Sequence, residues 1–168
     1  MNLSLNDHDR FNEIISEIAS RVEVMEMKKY IQHGEMTTYD HCLLVARRSF
    51  FLARKLKLRV DERSLIRGAM LHDFYLYDWH VRDDGRKRFH GFHHAKTALF
   101  NAQKLYDLSA IEKDIIMKHM WPMNIRFPKY RESYLVTLSD KICSVMEILK
   151  MEQEKVLWKS ESQNEEYD

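Results

Sequence analysis

The chain has 168 residues, 45% hydrophobic and 32% charged, with 27 basic against 26 acidic side chains and a net charge of +1. This is the balance of a globular domain with one core; it excludes a disordered chain and argues against a broad nucleic-acid-binding face. Four Gly and two Pro are too few for a loop-rich or all-β fold, and no run reaches the ~18 apolar residues of a membrane span.

Phe11, Ile14, Ile15, Ile18, Val22 and Met25 recur at helical spacing and predict one helix over residues 6–33, capped by Asn6 or Asp7. "HGEMTT" then breaks the pattern, and its two threonines are good N-caps for a helix over 39–56 carrying Leu44, Ala46, Phe50, Phe51, Ala53 and Leu56. Asp61 caps a third helix over 62–72, with Leu65, Ile66, Ala69 and Met70 inward. Residues 77–93 have no helical period and read as a long loop. A helix over 94–106 comes next, then one over 109–120 capped by Ser109. After the Pro-punctuated "WPMNIRFPKYRE", a last helix runs over 133–158 with Leu135, Leu138, Ile142, Val145, Met146 and Leu149 inward. No strand is predicted. The expectation is an all-α, single-domain helical bundle of about six main helices, with an N-terminal helical segment (1–36) packed on the core, a main domain (37–158) and a polar, frayed tail (159–168). The N-terminus lacks the basic-then-apolar order of a signal peptide. Cys42 and Cys143 lie in apolar helical patterns as reduced core thiols. Both features predict a cytoplasmic protein.

The ionisable residues on these helices stand out against that background. His41 lies three residues before Leu44 and four before Val45, so it can face inward. His72-Asp73 ends an apolar helix, His94 opens the next, His119 closes the fifth, and Asp140 sits mid-helix in the sixth. Each histidine taken singly also fits a hydrogen-bonded core or helix-end position, and Asp140 fits a structural ion pair. Together they could point imidazoles and carboxylates at one place, a donor set suited to divalent Fe, Mn, Co, Ni or Zn. Either member of His93-His94 could be the inward one, since adjacent helical positions point about 100° apart; Ala98, one turn on, favours His94.

The order of these residues resembles the HD-domain superfamily of metal-dependent phosphohydrolases, whose pattern is H…HD…D on a helical scaffold. "TTYDHCLLVA" supplies the first His, "GAMLHDF" the doublet and "YLVTLSDKICSVMEIL" the last Asp, so the resemblance covers roughly residues 38–149. It implies that His41, His72, Asp73 and Asp140 hold one metal. In the two-metal subgroup two further histidines join, here His94 and His119, and Asp73 bridges to the second ion and positions both for catalysis. The resemblance implies a metal-dependent phosphohydrolase acting on a nucleotide or other small phosphate ester through a metal-activated water. Arg86 and Arg88 in the cationic loop, His90 and Lys141 are the substrate-binding candidates, because cations beside a metal centre suit a phosphate. A di-iron oxygenase and a non-catalytic ligand-sensing module are the alternatives on the same ligand set. The expected partner is a small phosphorylated substrate, with no nucleic acid and no membrane; self-association is left open.

Overall fold

Ser4 opens the first helix, ahead of the expected Asn6 or Asp7. Its Oγ accepts the Asp7 N–H at 3.2 Å while the Asp7 carboxylate takes the Ser4 N–H at 3.2 Å, a reciprocal cap for α1 (Leu5–Ala19). The computed structural model describes residues 4–80 and 90–149. Phe11, Ile14, Ile15 and Ile18 form the buried face of α1. The helix then ends, where the periodicity predicts that it continues to residue 33. Val22 and Met25 turn outward, and Val24 and Met27 are the residues that bury. They do so from a short α2 (Val22–Met25), which packs on α1, and a 3₁₀ turn (Glu26–Lys29), which packs on the next long helix. A break at Ser20 thus shifts the apolar phase.

A small antiparallel hairpin comes next, β1 (Ile31–His33) with β2 (Met36–Thr37), turning at Gly34, whose φ of +58° favours glycine. It corrects the expectation that the chain has no strands, and is the β-structure of the described residues. Thr37 then accepts the Asp40 N–H and starts α3 (Thr38–Lys55). Asp61 caps α4 (Glu62–Leu71), accepting the Ser64 N–H at 2.9 Å. Helix α5 (His90–Leu105) begins four residues before its expected start, and α6 (Ala110–Lys118) opens on a Ser109–Glu112 capping box. Helix α7 (Arg131–Ile148) completes the described chain; the predicted continuation to 158 and the tail lie outside the described residues.

The fold is an all-α single domain, and α4 is its axis. Residues 64–71 are buried without interruption, with α3 on one side, α6 on another, and α1, α5 and α7 also touching it. Leu65, Ile66, Ala69 and Met70 face inward as expected, and Phe11 meets Phe50 at 5.9 Å between ring centroids. Helix α7 departs furthest from its apolar pattern. Its buried face is Leu135, Val136, Thr137, Ser139, Asp140, Cys143 and Glu147, whereas Leu138, Val145 and Leu149, expected inside, are 52%, 55% and 63% exposed. No helix among the described residues is long and apolar enough to cross a membrane.

Two consequences are measurable. A Cβ at Gly68 would lie 2.6 Å from Ile115 Cδ1 and 3.2 Å from Ile115 Cβ. The methyl end can rotate away but the Cβ of a β-branched helical residue cannot, so Gly68→Ala should push α4 from α6 and cost about 1–3 kcal/mol in urea unfolding, with an unchanged m value. Asp114 ties α6 to the start of α7, accepting from Lys129 N at 2.8 Å and Ser133 Oγ at 2.8 Å beside Lys118 Nζ at 2.5 Å. Burial works to raise its pKa, but Lys118 and these donors hold it below the ordinary carboxylate value. A lowered folded pKa means stabilisation that is full above the unfolded carboxylate's pKa, about 4, and fades as pH falls through the folded value. Asp114→Asn should therefore cost about 1–3 kcal/mol at pH 7 and less at pH 3, read as the difference between the two urea curves.

Candidate metal centre

Two histidines stand at helix C-termini for the same local reason. His72 follows α4 and its Nδ1 lies 2.7 Å from the Ala69 carbonyl; His119 follows α6 and its Nδ1 lies 2.9 Å from the Ile116 carbonyl. Each Nδ1–H thereby donates to a carbonyl three residues back, one that the ending helix leaves unpaired. In the neutral form of each ring this turns the Nε2 lone pair inward. His41, buried on α3, is oriented differently: its Nδ1 lies 2.8 Å from Glu147 Oε1, leaving Nε2 3.2 Å from Asp140 Oδ1. An imidazole backed by a carboxylate is the usual outer support of a metal-ligating histidine.

Asp73 occupies the middle. It is 3% exposed, with Oδ2 3.4 Å from His72 Nε2 and Oδ1 3.2 Å from His94 Nε2 and 3.4 Å from His119 Nε2. His94 and His119 bring their Nε2 atoms to 2.8 Å. Helix α5 is held in place for this by Asn101, whose amide donates to the carbonyls of Phe74 and Tyr75 just past the doublet. Of the adjacent pair it is His94, 4% exposed, that joins the cluster, while His93 is half-buried. All six predicted ligands therefore lie together.

The spacing suits a cation. Bonds of about 2.1 Å from nitrogen or oxygen place neighbouring ligand atoms about 3.0 Å apart in an octahedron and about 3.4 Å apart in a tetrahedron. The Asp73–His94–His119 triangle spans 2.8–3.4 Å, and His41, His72 and Asp140 form a second nest whose ligand atoms lie within 4.8 Å of one another. His72 Nε2 and Asp73 Oδ1 are buried and make no hydrogen bond of acceptable geometry; a coordinate bond would satisfy both. Two of these buried groups, His41–His72–Asp140 and His72–Asp73–His119, each bring their ligand atoms within 4.8 Å of one another and could hold a metal ion.

The electrostatics agree with that. Burial opposes charge on His41, but Asp140 and Glu147 outweigh it and lift the imidazole to about 10. Burial likewise opposes charge on His72, and Cys42, Asp73 and Asp140 together raise it well above its ordinary value. Burial would raise Asp73 and Asp140, yet the surrounding histidines hold both carboxyls below the usual range. His119 moves the other way, lowered first by burial and then by His72 and His94 against the pull of Asp73. The cluster is a buried concentration of negative charge that demands positive countercharge, from protons or from a cation.

Two supporting residues escape sequence reasoning. Glu147, 7% exposed, follows Asp140 by seven residues, two helical turns on the same face, so the i, i+7 spacing is a usable signal. Gln32 lies on β1 and donates Nε2–H to Asp73 Oδ2 at 2.6 Å; without the hairpin, nothing in the sequence marks it. Among the proposed substrate contacts, Lys141 sits at the rim, half-buried, its Nζ donating to the His119 carbonyl at 3.3 Å, and burial lowers its pKa. Arg86 and Arg88 lie outside the described residues; His90 starts α5 instead of standing in a loop, and its side chain is likewise outside them. Cys42 and Cys143 are buried free thiols, as expected, and burial pushes the Cys143 thiol up to about 12. No family model matches the chain, and no curated protein and no solved structure matches it.

A cation bound only by the folded state raises the melting temperature by mass action. At a hundredfold excess over Kd the gain is about 2.7 kcal/mol, or roughly 5–10 °C for a domain of this size. Adding Mn²⁺, Co²⁺ or Zn²⁺ to chelator-treated protein should produce such a shift, and Asp73→Asn and His72→Ala should abolish it.

Proposed function

We propose that the protein is a metal-dependent phosphohydrolase of the HD type, acting on a nucleotide or another small phosphate ester. The single observation that carries this reading is the placement of Asp73: one carboxylate oxygen faces His72 and the other faces His94 and His119. A carboxylate so shared between two nests of imidazole and carboxylate donors suits a pair of ions about 3.5–4 Å apart, the arrangement that clamps a phosphoryl group. His41, His72, Asp73 and Asp140 would hold one ion, and Asp73, His94 and His119 the other. The N/O donor set, without thiolate, suits Fe, Mn, Co, Ni or Zn. Ions bound there would polarise phosphoryl oxygens and lower the pKa of a water from 15.7 towards about 7, making an attacking nucleophile at neutral pH.

The chain's own residues prepare that chemistry. Glu147 and the Ala69 and Ile116 carbonyls hold three imidazoles in the ligating tautomer, so no reorganisation is needed when substrate arrives. Lys141 places a cation beside the His119 nest, where it would draw an anionic ester and pair with a non-bridging oxygen. The near-complete burial of the ligands limits competing water and strengthens each interaction.

Metal analysis of protein purified without chelator, followed by assays on a panel of nucleotides and simple phosphate esters, tests the proposal. Near two ions per chain are expected, falling to about one in His94→Ala and near none in Asp73→Ala, with phosphate release lost at least 10²-fold in both. Metal bound without hydrolysis of any ester would leave a binding module, and turnover that requires iron and O₂ would make the site an oxygenase; either result overturns the proposal.

A further inference from the structure

Gln32 is 7% exposed and belongs to the hairpin, outside the bundle that supplies the ligands. Its amide orientation is determined by its surroundings. The Tyr75 hydroxyl donates to Oε1 at 2.5 Å, while the Thr38 hydroxyl, 3.3 Å from the same oxygen, is 3.2 Å from the Tyr30 carbonyl. With the Tyr75 hydroxyl on Oε1, Nε2 is the end that meets Asp73, where it donates to Oδ2 at 2.6 Å. Tyr75 and Thr38 are each 1% exposed, so water does not compete for these bonds.

The effect falls on the other oxygen. With Oδ2 held by Gln32, the plane of the Asp73 carboxylate is set, and Oδ1 stays presented to His94 and His119 without a hydrogen bond of its own. Charge also matters. A lysine or arginine in place of Gln32 would compete with a bound cation for Asp73, and a carboxylate would repel Asp73 itself; a neutral amide donor does neither. Resting on the reading of this cluster as a two-ion centre, we infer that Gln32 is a positioning residue for the Asp73–His94–His119 nest, with Tyr75 fixing its amide. The N-terminal segment is therefore part of the site's machinery as well as part of the packing.

Calorimetric and visible-absorption titrations of the full chain with Co²⁺ decide the matter, comparing wild type with Gln32→Met, Gln32→Ala, Tyr75→Phe and His94→Ala. Methionine keeps the length and volume of glutamine but has no donor. Gln32→Met should weaken the binding step that His94→Ala removes by roughly 10–100-fold, change the absorption of the ion in that step, and leave the other step within about threefold. Tyr75→Phe should weaken the same step by a smaller factor, and decides the question alone if the Gln32 variants do not fold. A wild-type isotherm for Gln32→Met, or equal weakening of both steps, overturns the inference while the metal centre stands. A wild-type chain that binds no Co²⁺ overturns the two-ion reading and this inference with it.

Discussion

A carboxylate buried to 3% exposure in the middle of a helical domain is the constraint around which this structure is arranged. Left uncompensated, such a group costs several kcal/mol, far more than one helix cap or surface ion pair returns. Asp73 is compensated from every direction: His72 beside it in sequence, His94 from α5, His119 from α6 and the Gln32 amide from the hairpin. Each of those groups must in turn be oriented. The structure uses unpaired carbonyls at the ends of α4 and α6 for His72 and His119, and Glu147 for His41. The helix termini thus stand where they do for two reasons at once, since a terminus supplies both a free carbonyl and a change of chain direction.

The distance between α4 and α6 is the second determinant. Gly68 and Ile115 are in contact too close for a Cβ, and each lies four residues before a site histidine, His72 and His119 respectively. One helical turn beyond the contact, the two imidazoles meet edge to face with centroids 4.8 Å apart. Packing in the apolar core and geometry in the polar site are thereby one measurement made at two heights. A core change that spreads the helices by a fraction of an ångström spreads the ligands as well.

This dual role explains which parts are legible in the sequence. Asp61 and Ser109 are readable as caps, and the apolar face of α4 is readable throughout, because local chemistry and tertiary packing agree there. The six His and Asp residues are legible from their order along the chain, and His94 over His93 from the small residue one turn on. Helix α7 is misphased by its pattern because apolar periodicity assumes that the core wants apolar side chains. Here the core-facing positions carry Ser139, Asp140, Cys143 and Glu147, so Leu138, Val145 and Leu149 are displaced to the outside. The N-terminal helix is overextended for a different reason. Val22 and Met25 continue the period of α1, but the contacts that reward burial belong to Val24 and Met27 after the break. Gln32 is invisible because its contacts depend on a hairpin with only five strand residues and little local signal.

The same arrangement ties fold and site together energetically. The clustered histidines and carboxylates come from five segments: α3, the ends of α4 and α6, the start of α5, and α7. Asp73, Asp140 and Glu147 concentrate negative charge among them, and this charge outweighs burial to raise His41 and His72 above the ordinary imidazole value. Protons can neutralise this charge, but each stays on one ring and joins at most two groups. A cation takes three or more donors at once and so would add a crosslink to helices that already pack on one another, α3 on α7 and α6 on α5 and α7. Because its ligands must shed protons to bind it, the cation's hold strengthens as pH rises, while the proton-balanced form is favoured as pH falls. The buried carboxylate that makes this core expensive to assemble is therefore also the group through which a bound cation would act on its stability.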